Sequence, residues 1–152
     1  MEKIIGLTAD GKKMMKKLME MSKKEVLVGY ARGTTESDGT DLVDIAIANE
    51  YGTSTIPARP FMKQAVEKLD NHNSQIGKII TNCLAKDGSV ETALNQLGVI
   101  GKGYVQKEFV DGDFVPNAPT TIARKGSDRP LIDTGTLRQS VTYIIREREG
   151  KE

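Results

Sequence analysis

The sequence predicts an α+β fold. Apolar residues recur at helical spacing through most of the interior, and short β-branched runs lie near both ends, "EVLVGY" and "SVTYIIRER". From Asp111 to Asp133 neither period holds, which predicts a long extended arm before the C-terminal strand. The 152 residues are most economically one domain, 1–152. A chain of this length buries roughly 68–70% of its unfolded surface, enough for a core without metal or disulfide.

The opening run "KIIGL" is a strand candidate. In "TADGKKMMKKLMEMSKK", Met14, Met15, Leu18 and Met21 fall near helical spacing with lysines opposite, which predicts an amphipathic helix with a Met-rich core face. "EVLVGY" is the second strand candidate, and the polar, Gly-rich residues 31–41 read as an exposed flexible loop or hairpin tip. "DLVDIAIANEYGT" reads as a short helix capped by Asp41 or Thr40, with Leu42, Ile45, Ala46 and Ala48 inward and Gly52 at its C-terminus. "STIPARPF" cannot be regular, because Pro57 and Pro60 remove donors and push Ile56 and Arg59 towards extended conformations. Pro60 suits the first position of the next helix.

That helix is expected to run through "FMKQAVEKLDNHNSQIGKIITNCLAKDG" with a polar patch midway and to stop at Gly88. Ser89 can cap a further helix over "VETALNQLGVIGKGYVQKEF", striped by Val90, Ala93, Leu94, Leu97, Ile100 and Tyr104. Its Gly98, Gly101 and Gly103 imply either close backbone packing or a helix that bends and frays. The arm 111–133 carries Phe114, Val115, Ile122, Leu131 and Ile132, apolar anchors expected of a segment that orders against a neighbour. Val141, Tyr143 and Ile145 then alternate with Thr142, Ile144 and Arg146, the period of a strand with one buried face.

Composition excludes several classes of function. Lys plus Arg number 22 against 21 Asp plus Glu, so no general attraction to nucleic acid is expected, and the near-neutral charge offers little resistance to self-association. One cysteine and one histidine rule out an internal disulfide and the four-ligand zinc sites. The opening apolar run is too short for a signal peptide and no later stretch approaches a membrane span.

The chemical motifs are weak. Asp133-Thr134-Gly135 matches the aspartic-protease signature, but that chemistry needs a β-rich fold continuing well past the motif, and only seventeen residues follow Gly135. The plainer reading makes Asp133 the cap of a short helical turn, "TGTLRQS". His72 has no nucleophile or base beside it in sequence, and Cys83 lies on an apolar stripe as a small core residue. "GVIGKG" lacks phosphate-loop spacing, and Asp38, Asp41 and Asp44 lack that of an EF-hand. No catalytic, cofactor-binding or metal-binding residue is expected.

Two segments do resemble a known family. "IAIANEYGTSTIPARPFMKQAV", 45–66, is similar to the Glu-Tyr/Phe-Gly-Thr and Pro-x-Arg-Pro-Phe signature of tailed-bacteriophage tail-completion and head–tail joining proteins. "PNAPTTIARKGSDRPLIDTGTLRQSVTY", 116–143, resembles the closing pattern of the related virion-morphogenesis proteins. Together they span about a third of the chain, in the family's order. Glu50, Tyr51, Gly52, Pro57, Arg59, Pro60 and Phe61 occupy the first signature. Thr121, Arg124, Leu131, Asp133, Thr134, Gly135, Leu137, Arg138 and Ser140 occupy the second. The second commonly opens on a Trp-containing phrase, whereas this chain has "FVPNAP" and no Trp.

The resemblance implies a small antiparallel sheet packed by helices, in a subunit that joins head to tail at the virion neck. It implies a homo-oligomeric ring, six- or twelve-fold, made in the host cytoplasm and contacting portal or connector and tail proteins. No enzyme activity, cofactor, membrane or sequence-specific nucleic acid is implied. Arg59, between prolines, is placed for a bidentate contact to a carboxylate. Tail completion, tail terminator and connector stay open within the class, and a non-viral protein-binding module is the alternative outside it.

Overall fold

In the computed structural model, residues 6–85, 87–114 and 135–150 are described. The elements run α1 (Ala9–Ser22), β1 (Lys24–Gly29), α2 (Leu42–Tyr51), α3 (Phe61–Asn71), α4 (Ser74–Ala85), α5 (Val90–Asp111), α6 (Thr136–Gln139) and β2 (Thr142–Glu147). β1 and β2 form a two-stranded antiparallel sheet, and the chain is an α+β protein. Among the described residues, no helix is long and apolar enough to cross a membrane.

The chain groups into two compact units, each with its own apolar cluster. One comprises Met1–Leu27, Asn73–Val99 and Ile144–Glu152. Its cluster is Cys83, Val90, Ala93 and Leu94, flanked by Met21, Val26, Ile79, Leu97 and Ile145. α1 packs on α4, and Lys17 Nζ donates to the Cys83 carbonyl in the last turn of α4 at 2.6 Å. A cation there suits the negative end of the helix dipole. Arg146 Nε meets Glu25 Oε1 at 2.6 Å across the strands.

The other unit comprises Val28–His72 and Ile100–Tyr143. Its cluster joins Leu42 and Ala46 of α2, Phe61 and Ala65 of α3, Val105 and Phe109 of α5, and Leu137 and Val141. Phe61, fully buried, meets Phe109 at a centroid distance of 4.9 Å and Tyr30 edge-on at 6.4 Å. Both geometries suit the ring quadrupole.

Several helix boundaries follow side-chain chemistry. Thr8 Oγ1 accepts from Gly11 N at the start of α1, and Ser89 Oγ from Thr92 N at the start of α5. Asp41 Oδ1 accepts from Val43 N, and Asp41 Oδ2 from Gly33 N, tying the 31–41 loop to α2. That loop closes on itself through Glu36 N to Thr40 O and a Thr35–Asp41 bridge.

Four expectations are corrected. The long helix from Phe61 breaks at His72–Asn73. His72 leaves helical geometry at φ −121°, and the Asn73 carbonyl accepts the first bond of α4 from Gly77 N; short polar side chains favour such breaks over continued helix. Pro60 precedes α3 as its N-cap rather than opening it. The Met face of α1 is not a core face, since Met14, Met15 and Leu18 are exposed and only Met21 joins a cluster. Gly6 and Leu7, the described end of "KIIGL", are not strand, and the rest of that run lies outside the described residues.

Of the two readings left open for the glycines of α5, close packing fits Gly101 and neither fits Gly103. α5 is continuous through all three, and a Cβ on Gly101 would stand 2.9 Å from Val28 Cγ2, so close packing explains that position. A Cβ on Gly103 would meet nothing within 4 Å. Gly103→Ala should therefore raise stability by about 1 kcal/mol through helix propensity. Gly101→Ala should fall below wild type, because overpacking costs about 1–3 kcal/mol. Thermal unfolding of both variants tests the ordering, and equal midpoints would refute it.

The two amides on Asp41, Gly33 first and then Val43, hold its carboxyl below the usual Asp range. A depressed folded pKa means that the cap's contribution is fully present above the ordinary value of about 3.9. It is lost as pH falls through the folded value. Asp41→Asn should be less stable than wild type near pH 6, and the gap should close on acidification. Urea midpoints from pH 2 to 6 measure it; a gap independent of pH would exclude the charge.

Candidate functional site

The first signature folds into the corner between α2 and α3. Gly52 ends α2 at φ 75°, ψ 170°, a region essentially closed to other residues. A Cβ there would also stand 2.8 Å from Ala58 N and 3.0 Å from Ile56 O. Thr53 N then donates to Ile56 O, Thr53 Oγ1 accepts from Thr55 N and Ile56 N, and Arg59 N returns to Asn49 O. The chain reverses within ten residues with these amides satisfied.

Reversal brings Glu50 to the start of α3. Pro60 has no capping side chain, and the first turn of α3 carries no acid. Glu50 supplies both functions from α2: Oε2 accepts from Met62 N at 2.9 Å and Oε1 from Lys63 N at 3.0 Å. A carboxylate at a helix N-terminus satisfies orphan donors and meets the positive end of the dipole. Phe61 N donates to Arg59 O, and Gln64 N to Pro60 O.

The remaining signature residues sort by burial. Phe61 is in the core and Arg59 is only 8% exposed; burial pulls the Arg59 pKa below its usual value. Tyr51 is 79% exposed, and Pro57 is exposed. From the second signature, Gly135 caps α6 at φ 79°, Leu137 is buried, and Gln106 Nε2 donates to the Arg138 carbonyl. Ser140 N closes the α6 turn on Thr136 O. The N-cap of α6 is thus Gly135. Thr121, Arg124, Leu131, Asp133 and Thr134, with most of the arm 111–133, lie outside the described residues. Asp111 itself still belongs to α5, and Phe114 packs on the cluster around Phe61 and Phe109.

The two signatures therefore meet: Phe61 of one and Leu137 of the other share a cluster. Among the described residues of the two signatures, the arrangement supplies packing, a helix cap and a tight turn. His72 is exposed, with Nδ1 against the Lys68 carbonyl, and Cys83 is buried in the other unit's cluster. Asp44 pairs with Arg32 at 2.7 Å, and Asp38 accepts from Thr40 N. Among the described residues no group of three His, Cys, Asp or Glu is placed to hold a metal ion.

Sequence reasoning missed Glu108. It is 1% exposed, meets Lys68 Nζ at 2.6 Å through Oε1, and leaves Oε2 without a hydrogen-bond partner among the described residues. The signal was present: Glu108 falls on the apolar face of α5, three residues after Val105 and four after Tyr104. The Tyr30 hydroxyl is also buried without a partner among the described residues, and burial, then the Glu50 charge, push its pKa up.

Compared with family models, curated proteins and solved structures, the chain matches none.

The corner generates a graded prediction. Glu50→Ala should cost about 1–2 kcal/mol, the loss of a charged cap, and Glu50→Gln less, because one acceptor oxygen remains. Gly52→Ala should cost more than either, adding about 1–3 kcal/mol of backbone strain to the collision with Ala58. Urea unfolding with an unchanged m-value ranks the three; Gly52→Ala at wild-type stability would mean that the corner is not constrained in this way.

Proposed function

We propose that this chain is a structural virion protein of a tailed phage or prophage, a ring subunit of the neck that joins head to tail. The observation that carries the reading is the convergence of Phe61 and Leu137 in one cluster. Two sequence-distant motifs in the family's order make sense together if both frame a single scaffold. The residues that resemble the family do scaffold work here: Glu50 caps, Gly52 turns, Phe61 and Leu137 pack. A neck subunit needs a rigid frame and self-complementary surfaces rather than an active site.

A tail terminator, which would cap the tail tube as a ring, is the alternative within this class, and a non-viral binding module the alternative outside it. Deleting the gene and imaging the induced lysate by electron microscopy separates them. Full heads beside separate tails are expected. Tails of uncontrolled length would assign the terminator role, and intact infectious particles would refute both virion roles.

A further inference from the structure

α1 and α2 present faces of opposite chemistry. At 100° per residue, Met14, Leu18, Met15 and Met19 of α1 share one arc, and all four are exposed, Met19 to 45%. Lys12 and Lys16 border that arc on the side of Met19, and α1 holds four lysines against two acids. On α2, Asp44, Ile47 and Tyr51 form an outward stripe at i, i+3 and i+7, with Ile47 49% and Tyr51 79% exposed. Residues 31–51 contain five acids against one basic residue, Arg32, which pairs with Asp44 and leaves the segment strongly acidic in balance.

We propose that the Met-rich face of α1 on one copy docks on the Asp44–Ile47–Tyr51 face of α2 on a second copy. The contact deepens the ring reading given above and rests on it. Charge selects the occupant. Two α1 faces together would oppose lysines, and two α2 faces would oppose acids; like-charge juxtaposition is costly at an interface. The mixed pairing sets the lysines at the rim against the acidic loop and buries apolar side chains at the centre. Methionine adapts to an irregular partner surface, and tyrosine is a common interface anchor. Because the two faces differ, the contact is head-to-tail: each copy offers one of each, and the contact repeats into a ring or filament.

Two double variants test this in the full-length chain. Met15→Glu/Met19→Glu removes one face and Ile47→Lys/Tyr51→Lys the other, all at exposed positions, with circular dichroism to establish that both fold. Wild type should sediment as species larger than a dimer, and each variant alone as a monomer, its self-association weakened at least ~tenfold. An equimolar mixture should give a one-to-one dimer and nothing larger, because one intact face of each kind remains. Variants that associate like wild type, a mixture that stays monomeric, or a monomeric wild type would each overturn the contact. Unperturbed rings in the variants would leave the neck reading standing. Intact particles after gene deletion would remove that reading while leaving a head-to-tail contact measured this way in place.

Discussion

The start of α3 cannot cap itself, and much of one unit depends on how that is solved. Pro60 has no donor and no capping side chain, yet the amides of Met62 and Lys63 need acceptors. The acceptor arrives from α2, as the two oxygens of Glu50. That solution requires the chain to reverse within a few residues, and Gly52 takes a conformation closed to a side chain to do so. Once the corner is set, Phe61 is delivered to Tyr30 and Phe109, and the cluster that also takes Leu137 forms around it. An electrostatic cap, a backbone turn and an aromatic core are thus one constraint met in three places.

Among the described residues, the same unit carries two buried polar groups without a partner. Each buried donor or acceptor without a partner costs about 1–3 kcal/mol, and both the Tyr30 hydroxyl and Glu108 Oε2 are in that state. Lys68 offsets part of the Glu108 cost, but its half-exposed ammonium is screened by solvent. Replacing a buried ion pair by apolar residues is often neutral or stabilising, so Glu108 is better seen as a cost carried by the fold than as its support.

The legible parts of the sequence were those decided by local chemistry. Asp41, Ser89 and Gly52 announced helix ends because a cap or turn needs a particular side chain at a particular place. β1 and β2 were legible because β-branched runs bounded by charge have few other uses. The break at His72–Asn73 was less so: a polar patch within a helical period reads equally as a solvated face. Glu50 could be singled out by resemblance, but not its task, since its partners lie twelve and thirteen residues away across a turn. Glu108 was hidden by a charge that suggests solvent, although its position on the stripe points inward.

α1 shows why a hydrophobic period has a limited message. A fourteen-residue helix is marginal in water without packing, and α1 is held at one side by Met21 and by Lys17 on the Cys83 carbonyl. Its pattern asked for a wider apolar face to be buried, yet Met14, Met15, Leu18 and Met19 remain exposed. Periodicity specifies that an arc of side chains should leave water; it does not specify whether the same chain supplies the cover. When lysines border one side of an apolar arc, and acids gather beside another exposed apolar stripe, the cover is more economically sought on a second copy than in the core. On the contact proposed above, the expected Met-rich core face and the exposed one are the same surface, to be covered by a second copy rather than by the subunit's own core.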